Sequence, residues 1–161
     1  MLELCASDVA DPADVEFDEY VPVTVTWPAA HRLLDQPGYV TCQGRVGLLE
    51  LKFHPSSGHL VEAVLVSARG IEVAEGALVP TSDDEFRTVC WSKENQQVDV
   101  VRRVDAVAYD DCLVVALAPD PVERWVGSMP VLFGQGASGE FVAMCVQWDS
   151  RERRLVLEPG I

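Results

Sequence analysis

The stretch that most constrains the fold covers residues 47–67 and reads GLLELKFHPSSGHLVEAVLVS. Two apolar runs flank a four-residue break, PSSG, at residues 55–58. Proline has the fixed φ that the second position of a tight turn needs, and glycine adopts a left-handed conformation without a Cβ clash. The pattern therefore predicts a β-hairpin. Its second arm is apolar on nearly both faces, which predicts a central place in a sheet that is covered on both sides.

Short strand-like runs recur along the chain about every 8–12 residues, with turn signals between them. They lie at residues 20–27, 39–45, 71–74, 86–91, 98–109, 112–118, 125–133, 140–148 and 155–158. Only PAAHRLLD, at residues 28–35, predicts a helix, and the charged DSRERR, at residues 149–154, predicts a turn. Pro22 lacks an N–H group and predicts an edge strand or an outward-facing position. We expect residues 1–161 to form one mainly β domain, as an antiparallel sandwich, a barrel or a large curved sheet.

The chain is strongly acidic, with 26 acidic and 12 basic side chains and a formal net charge of −14. Nucleic acid and anionic membranes are disfavoured as partners, because both attract Lys and Arg. Hydrophobic residues make up 48% of the chain, which excludes a wholly disordered one. Since surface charge governs solubility and steers association, the acidity favours either solubility alone or fast encounter with a basic protein partner.

The acidic side chains concentrate near the N-terminus, where the first twenty residues carry seven acids and no base. We expect residues 1–19 to form an acidic arm that is mobile or lies at an edge of the fold. A second acidic run, at residues 80–85, predicts an exposed turn. If both segments dock on a basic partner, the candidate partner-binding residues are Asp8, Asp11, Asp14, Glu16, Asp18, Glu19, Asp83, Asp84 and Glu85.

The five cysteines are irregularly spaced and include no C-x-x-C pair, so the spacing indicates neither a zinc knuckle nor a thioredoxin-type site. In apolar strand-like runs a thiol commonly packs as a small apolar side chain, and we expect this of Cys42, Cys90, Cys112 and Cys145. An odd number of cysteines without a signal peptide predicts a reducing cytoplasm. No window approaches ~18 apolar residues, so no membrane span is predicted.

The segment GQGASG has its glycines at Gly134, Gly136 and Gly139 and so matches G-x-G-x-x-G. A dinucleotide site needs a helix directly after this loop, so that the helix N–H groups hold a pyrophosphate. The run at residues 140–148 predicts a strand instead, and we therefore expect a hairpin loop. The alternative is a ligand site at this loop or in the mouth of a barrel.

His54 and His59 flank the hairpin turn and would begin a metal site if they faced each other across the strand ends. A metal site needs a third and usually a fourth ligand, so ordinary turn residues are favoured and no metal or cofactor is predicted. Adjacent residues of a strand point to opposite faces, so the carboxylates of Asp110 and Asp111 do not converge on a cation or a catalytic site. We therefore predict that they lie in a solvated turn. No motif has the structural context of a catalytic site, and we predict that the protein is not an enzyme.

Four tryptophans fall at predicted strand ends, where large aromatic side chains either close the core or anchor an interface. They are Trp27, Trp91, Trp125 and Trp148.

The predicted hairpin, GLLELKFHPSSGHLVEAVLVS, resembles one found in small acidic bacterial proteins of unknown function, including immunity-type proteins that neutralise toxins. The resemblance covers residues 47–67 and implies a protein-binding role in a bacterial cytoplasm. We therefore expect a non-catalytic domain that binds a basic protein, such as an immunity or inhibitor protein. Two alternatives stay open, namely a small-ligand module or enzyme, and a homodimeric subunit that pairs through an exposed edge strand.

Overall fold

The computed structural model describes residues 2–6, 12–27, 37–44, 47–67, 69–83, 87–91, 97–100 and 104–160. In chain order the strands are β1 (Leu2–Ala6), β2 (Asp14–Phe17), β3 (Val23–Thr26), β4 (Gly38–Gln43), β5 (Leu48–Phe53), β6 (Leu60–Leu65), β7 (Glu72–Val73), β8 (Ser82–Asp83), β9 (Arg87–Trp91), β10 (Gln97–Val100), β11 (Asp105–Ala108), β12 (Cys112–Ala116), β13 (Arg124–Ser128), β14 (Val131–Gln135) and β15 (Phe141–Gln147). The helix α1 (Ser150–Leu157) follows the last strand.

The described strands form three sheets. The six-stranded sheet has the order β10-β4-β5-β6-β3-β2, and the seven-stranded sheet has the order β7-β11-β12-β15-β14-β13-β8. A two-stranded sheet pairs β1 with β9. Most neighbouring strands are antiparallel. Three pairs are parallel, namely β10 with β4, β7 with β11, and β8 with β13. The predicted mainly β fold with one short helix is confirmed.

The hairpin predicted from the PSSG break is present as β5 and β6, and both strands are central in the six-stranded sheet. Gly58 has φ +72°, and a Cβ there would lie 2.7 Å from the carbonyl oxygen of Trp91, so the turn requires glycine at this position. The expectation that this sheet is covered on both sides is wrong, because only one face of β6 is buried. Its other face, which carries Glu62 and Val64, is partly exposed.

Both large sheets contribute side chains to one hydrophobic core. The six-stranded sheet supplies fully buried residues such as Leu51 and Phe53, and the seven-stranded sheet supplies residues such as Phe141. Ring contacts between the sheets complete the packing, since Trp27 stacks on Phe133 with ring centroids 5.8 Å apart. The inner faces of the two sheets therefore pack together as in a sandwich.

Several predicted strand boundaries are wrong, because strand pairing decides them; the run at residues 125–133, for example, is a hairpin of β13 and β14. The run at residues 98–109 is not one strand: β10 pairs with β4 in the six-stranded sheet, whereas β11 pairs with β12 in the seven-stranded sheet. Ser82 and Asp83 were expected in an exposed turn, but their backbone forms β8 beside β13. Pro22 neither marks an edge strand nor faces outward, since it is buried and precedes β3, which lies between β6 and β2.

The C-terminal segment, expected to be a charged turn and a strand, is the helix α1. Asp149 caps its N-terminus by accepting hydrogen bonds from the backbone N–H groups of Arg151 and Glu152, both at 2.8 Å. The Glu152 carboxylate accepts in return from the N–H of Asp149, which completes a capping box. Val156 then points into the core. The helix predicted at residues 28–35 lies outside the described residues.

Among the described residues, no helix is long and apolar enough to cross a membrane.

Candidate functional site

The outer face of the six-stranded sheet carries carboxylates and hydroxyls in two rows that cross the strands. The register aligns Thr41, Glu50, Val64, Thr24 and Glu16 in one row. The neighbouring row consists of Tyr39, Lys52, Glu62, Thr26 and Asp14. We call these ten residues the acidic face. It exists because side chains alternate along β2, β3, β4 and β5, so the residues between these positions point toward the core.

The electrostatic balance of the acidic face is negative. It holds four carboxylates, those of Asp14, Glu16, Glu50 and Glu62, against the single ammonium group of Lys52. The Lys52 Nζ lies 3.1 Å from the Glu62 carboxylate and 5.8 Å from the centre of the Tyr39 ring, so this cation is engaged within the face. Asp14 and Glu16, at the β2 end of the rows, are exposed.

The turn that joins β2 to β3 extends the acidic face beyond the edge of the sheet. Asp18 shapes this turn, because its carboxylate accepts hydrogen bonds from the backbone N–H groups of Tyr20 and Val21 at 2.7 and 3.3 Å. Tyr20 is 80% exposed. The hydrogen bond to the Glu19 carboxylate, and its negative charge, raise the pKa of the Tyr20 phenol. An aromatic ring thus stands in solvent within a field of negative charge.

The predicted partner-binding residues lie in two separate parts of the fold. Asp14 and Glu16 are in β2, and Asp18 and Glu19 are in the turn after it. The backbone of Asp83 belongs to β8, the edge strand of the other large sheet. The remaining four, Asp8, Asp11, Asp84 and Glu85, lie outside the described residues. The sequence did not predict that Glu50 and Glu62 belong to the acidic face, because only the strand register places them in rows with β2.

The glycine-rich segment forms the predicted hairpin loop between β14 and β15. Its backbone amides are used within the loop: the N–H of Gly136 donates to the carbonyl of Glu140 at 3.0 Å, and the N–H of Ser138 donates to the Glu140 carboxylate at 2.8 Å. A phosphate bound here would face that carboxylate instead of free N–H groups. The loop therefore does not reproduce the anion cradle of a dinucleotide site.

His54 and His59 do not form a site together. The Nδ1 atom of His54 accepts hydrogen bonds from the N–H groups of Ser56 and Ser57, at 3.1 and 3.3 Å, and so holds its own turn. His59 instead lies beside two cysteines, and one ligand atom from each of His59, Cys5 and Cys90 lies within 4.8 Å of the others. All three residues are partly buried.

Cys5 and Cys90 form a disulfide that joins β1 to β9, with Cα atoms 6.0 Å apart. The prediction that Cys90 packs as a free apolar thiol is therefore wrong. Cys42, Cys112 and Cys145 are buried thiols, as expected. A hydrogen bond to Cys145, together with burial, raises the pKa of the Cys112 thiol, so Cys112 stays protonated.

Asp111 anchors a loop instead of lying in a merely solvated turn. Its carboxylate accepts hydrogen bonds from the backbone N–H groups of Leu78 and Val79, at 2.8 and 2.9 Å. Burial by itself raises the pKa of Asp111, but these hydrogen bonds and others from its own N–H and from Cys112 outweigh burial, so the pKa is lowered. Val79 has φ +45°, a strained value for a β-branched residue, and the Asp111 carboxylate holds it there.

The four tryptophans are half-buried or buried. Trp27 and Trp91 pack on Phe133 and Phe53, and Trp148 donates its indole N–H to the carbonyl of Tyr109 at 3.0 Å. All four therefore pack against buried side chains, whereas the exposed aromatic rings at and beside the acidic face are those of Tyr39 and Tyr20.

A search of known protein families finds no family model that matches this chain, and a search of curated proteins finds no significant match.

Proposed function

We propose that this protein is a non-catalytic domain that binds a basic protein partner through the acidic face, in the manner of an inhibitor or immunity protein. The observation that carries the proposal is the pair of rows across the six-stranded sheet. They hold four carboxylates against one engaged lysine. A partly exposed antiparallel sheet face of this kind is a preformed surface, which a rigid partner covers without a large ordering cost.

The chemistry of the surface selects a partner rich in lysine and arginine. Carboxylates of Asp14, Glu16 and Glu19 are exposed and accept charge-assisted hydrogen bonds from ammonium and guanidinium groups. Tyr20 adds an exposed ring, onto which a guanidinium stacks. Negative potential over the whole face speeds the encounter with a positive partner and weakens as salt increases.

The position of β2 favours a different partner over a second copy of this chain. Among the described strands, β2 has a neighbour on one side only, so its outer backbone groups face away from the sheet. If two copies paired through β2, the Asp14 and Glu16 carboxylates of both chains would meet, and like charges across a strand pair destabilise it. A basic strand has no such penalty.

The test uses three immobilised forms of the protein, each exposed to an extract of its own source cells with quantitative mass spectrometry as the readout. They are the wild type, the D14K/E16K/E19K variant, and the matched control E75K/D120K/E123K. Both variants change the net charge by the same amount at exposed positions, but only the first changes the acidic face and its turn.

We expect at least one basic protein to be retained by the wild type and the control and lost from D14K/E16K/E19K. Calorimetry with that purified partner should then show an affinity that falls steeply with added salt. The proposal is refuted if every basic protein retained by the wild type is lost equally from both variants. That result would mean that only net charge matters, and not this face.

A further inference from the structure

A corner of the fold outside the acidic face brings together two sulfur atoms and an imidazole. Cys5 is opposite Thr88 in the β1–β9 pair, and Cys90 is opposite Glu3, so the cysteines are diagonal neighbours on one face of this sheet. The tip of the β5–β6 hairpin pairs with β9 from its other edge. There His59 bridges to Cys90, and the N–H of Trp91 donates to the carbonyl of Gly58 at 3.0 Å.

Hydrogen bonds within the hairpin turn fix the backbone of His59. Within the hairpin turn, the N–H of His54 donates to the carbonyl of His59 at 2.8 Å, and the N–H of Gly58 donates to the carbonyl of His54 at 2.9 Å. The N–H of His59 donates to the hydroxyl of Ser57 at 3.3 Å. In an antiparallel bridge the paired side chains point to the same side, which places the imidazole of His59 next to the sulfur of Cys90.

We infer that Cys5, His59 and Cys90 bind one zinc ion when the Cys5–Cys90 disulfide is reduced. Two thiolates and one imidazole are a donor set typical of zinc, with bonds of about 2.3 Å to sulfur and about 2.0 Å to nitrogen. Ligand atoms in such a site lie roughly 3–4 Å apart. The three ligand atoms here already lie within 4.8 Å of one another. After reduction, the two sulfurs therefore need to move apart only slightly to bind the same ion. The fourth position is open to water.

Reduction of the disulfide must precede metal binding. A dithiol reductant transfers two electrons and two protons to the Cys5–Cys90 bond and becomes a disulfide itself. The S–S bond breaks and two thiols form, and Zn²⁺ then displaces one proton from each sulfur. Disulfide sulfurs carry no charge and are poor ligands, so the crosslink and the metal exclude each other. Either of them ties β1 to β9, and the metal additionally ties in the hairpin tip through His59.

The test titrates Co²⁺ into the protein before and after reduction by a water-soluble phosphine, which ends as the phosphine oxide. Cobalt bound by thiolates gives a near-ultraviolet charge-transfer band and the visible bands of a tetrahedral ion, and Zn²⁺ should then bleach both. Weak binding to surface carboxylates gives neither signal. We expect one Co²⁺ per reduced wild-type chain and no such bands from the oxidised chain.

Three variants locate the site. C5S/C90S keeps Cys42, Cys112 and Cys145 and should lose the bands entirely. H59N keeps the disulfide, so its fold is secured before reduction, and its cobalt affinity should fall at least about tenfold. H54N is the matched control on the same turn, where asparagine retains an acceptor for the turn N–H groups, and it should bind as the wild type does. The inference is overturned if reduced wild type gives no bands, or if C5S/C90S or H59N binds cobalt like the wild type.

Discussion

The Cys5–Cys90 disulfide should contribute a large part of the stability of the oxidised protein. The crosslink joins positions 85 residues apart and so prevents the unfolded chain from exploring most of its open conformations. In the chain-entropy description, a closed loop of this length corresponds to about 4.5 kcal/mol at 25 °C. Reducing the bond, or replacing it in C5S/C90S, should lower the free energy of unfolding by about this amount.

The assay is urea unfolding followed by tryptophan fluorescence and circular dichroism, with and without the phosphine. With a urea dependence of about 2 kcal/mol per molar, the loss corresponds to a midpoint shift of roughly 2 M. Phosphine added to C5S/C90S should change nothing, which controls for the buried thiols. A loss below about 1 kcal/mol would contradict the reasoning, because the crosslink would then not constrain the unfolded chain.

Three further predictions concern the fold and its loops. D149A removes the side-chain half of the capping box and should cost about 1 kcal/mol in chemical denaturation, with the cost confined to helix α1 in amide hydrogen exchange. L51A should cost 2–5 kcal/mol (about the range for a fully buried leucine), whereas V64A on the partly exposed face should cost clearly less; equal losses would contradict the assigned burial. The pKa of Asp111 is lowered in the folded state, so its contribution is present above the unfolded pKa and is lost as pH falls through the folded pKa. The Leu78 amide should therefore lose its exchange protection in acid, and D111N should remove this pH dependence; unchanged protection would refute the role given to Asp111.

Local patterns predicted the elements whose partners are near in sequence. The PSSG break fixed the β5–β6 hairpin, and strict alternation identified the core faces of β3 and β5. Helix α1 was missed because the charges of residues 149–154 suggested a turn. The signal was nevertheless present, since Asp149 followed three residues later by Glu152 is the capping-box pattern.

The candidate sites depend on distant contacts that no local pattern contains. Cys5, His59 and Cys90 meet only because β9 lies between β1 and the hairpin tip. The positions of His54 and His59 suit a pair across the strand ends, but His54 instead accepts a hydrogen bond from the N–H of Ser56 within the turn. The rows of the acidic face likewise appear only when the register of four strand pairs is known.

The proposed function is tested most directly by an amide hydrogen-exchange footprint of the protein with its captured basic partner. Binding through the acidic face should slow exchange in β2, in the turn at residues 18–22 and in the neighbouring strands β3 and β6. The D14K/E16K/E19K variant should abolish this protection. Protection confined to β13, β14 or the loop at residues 134–139, with residues 14–22 unchanged, would contradict the proposal.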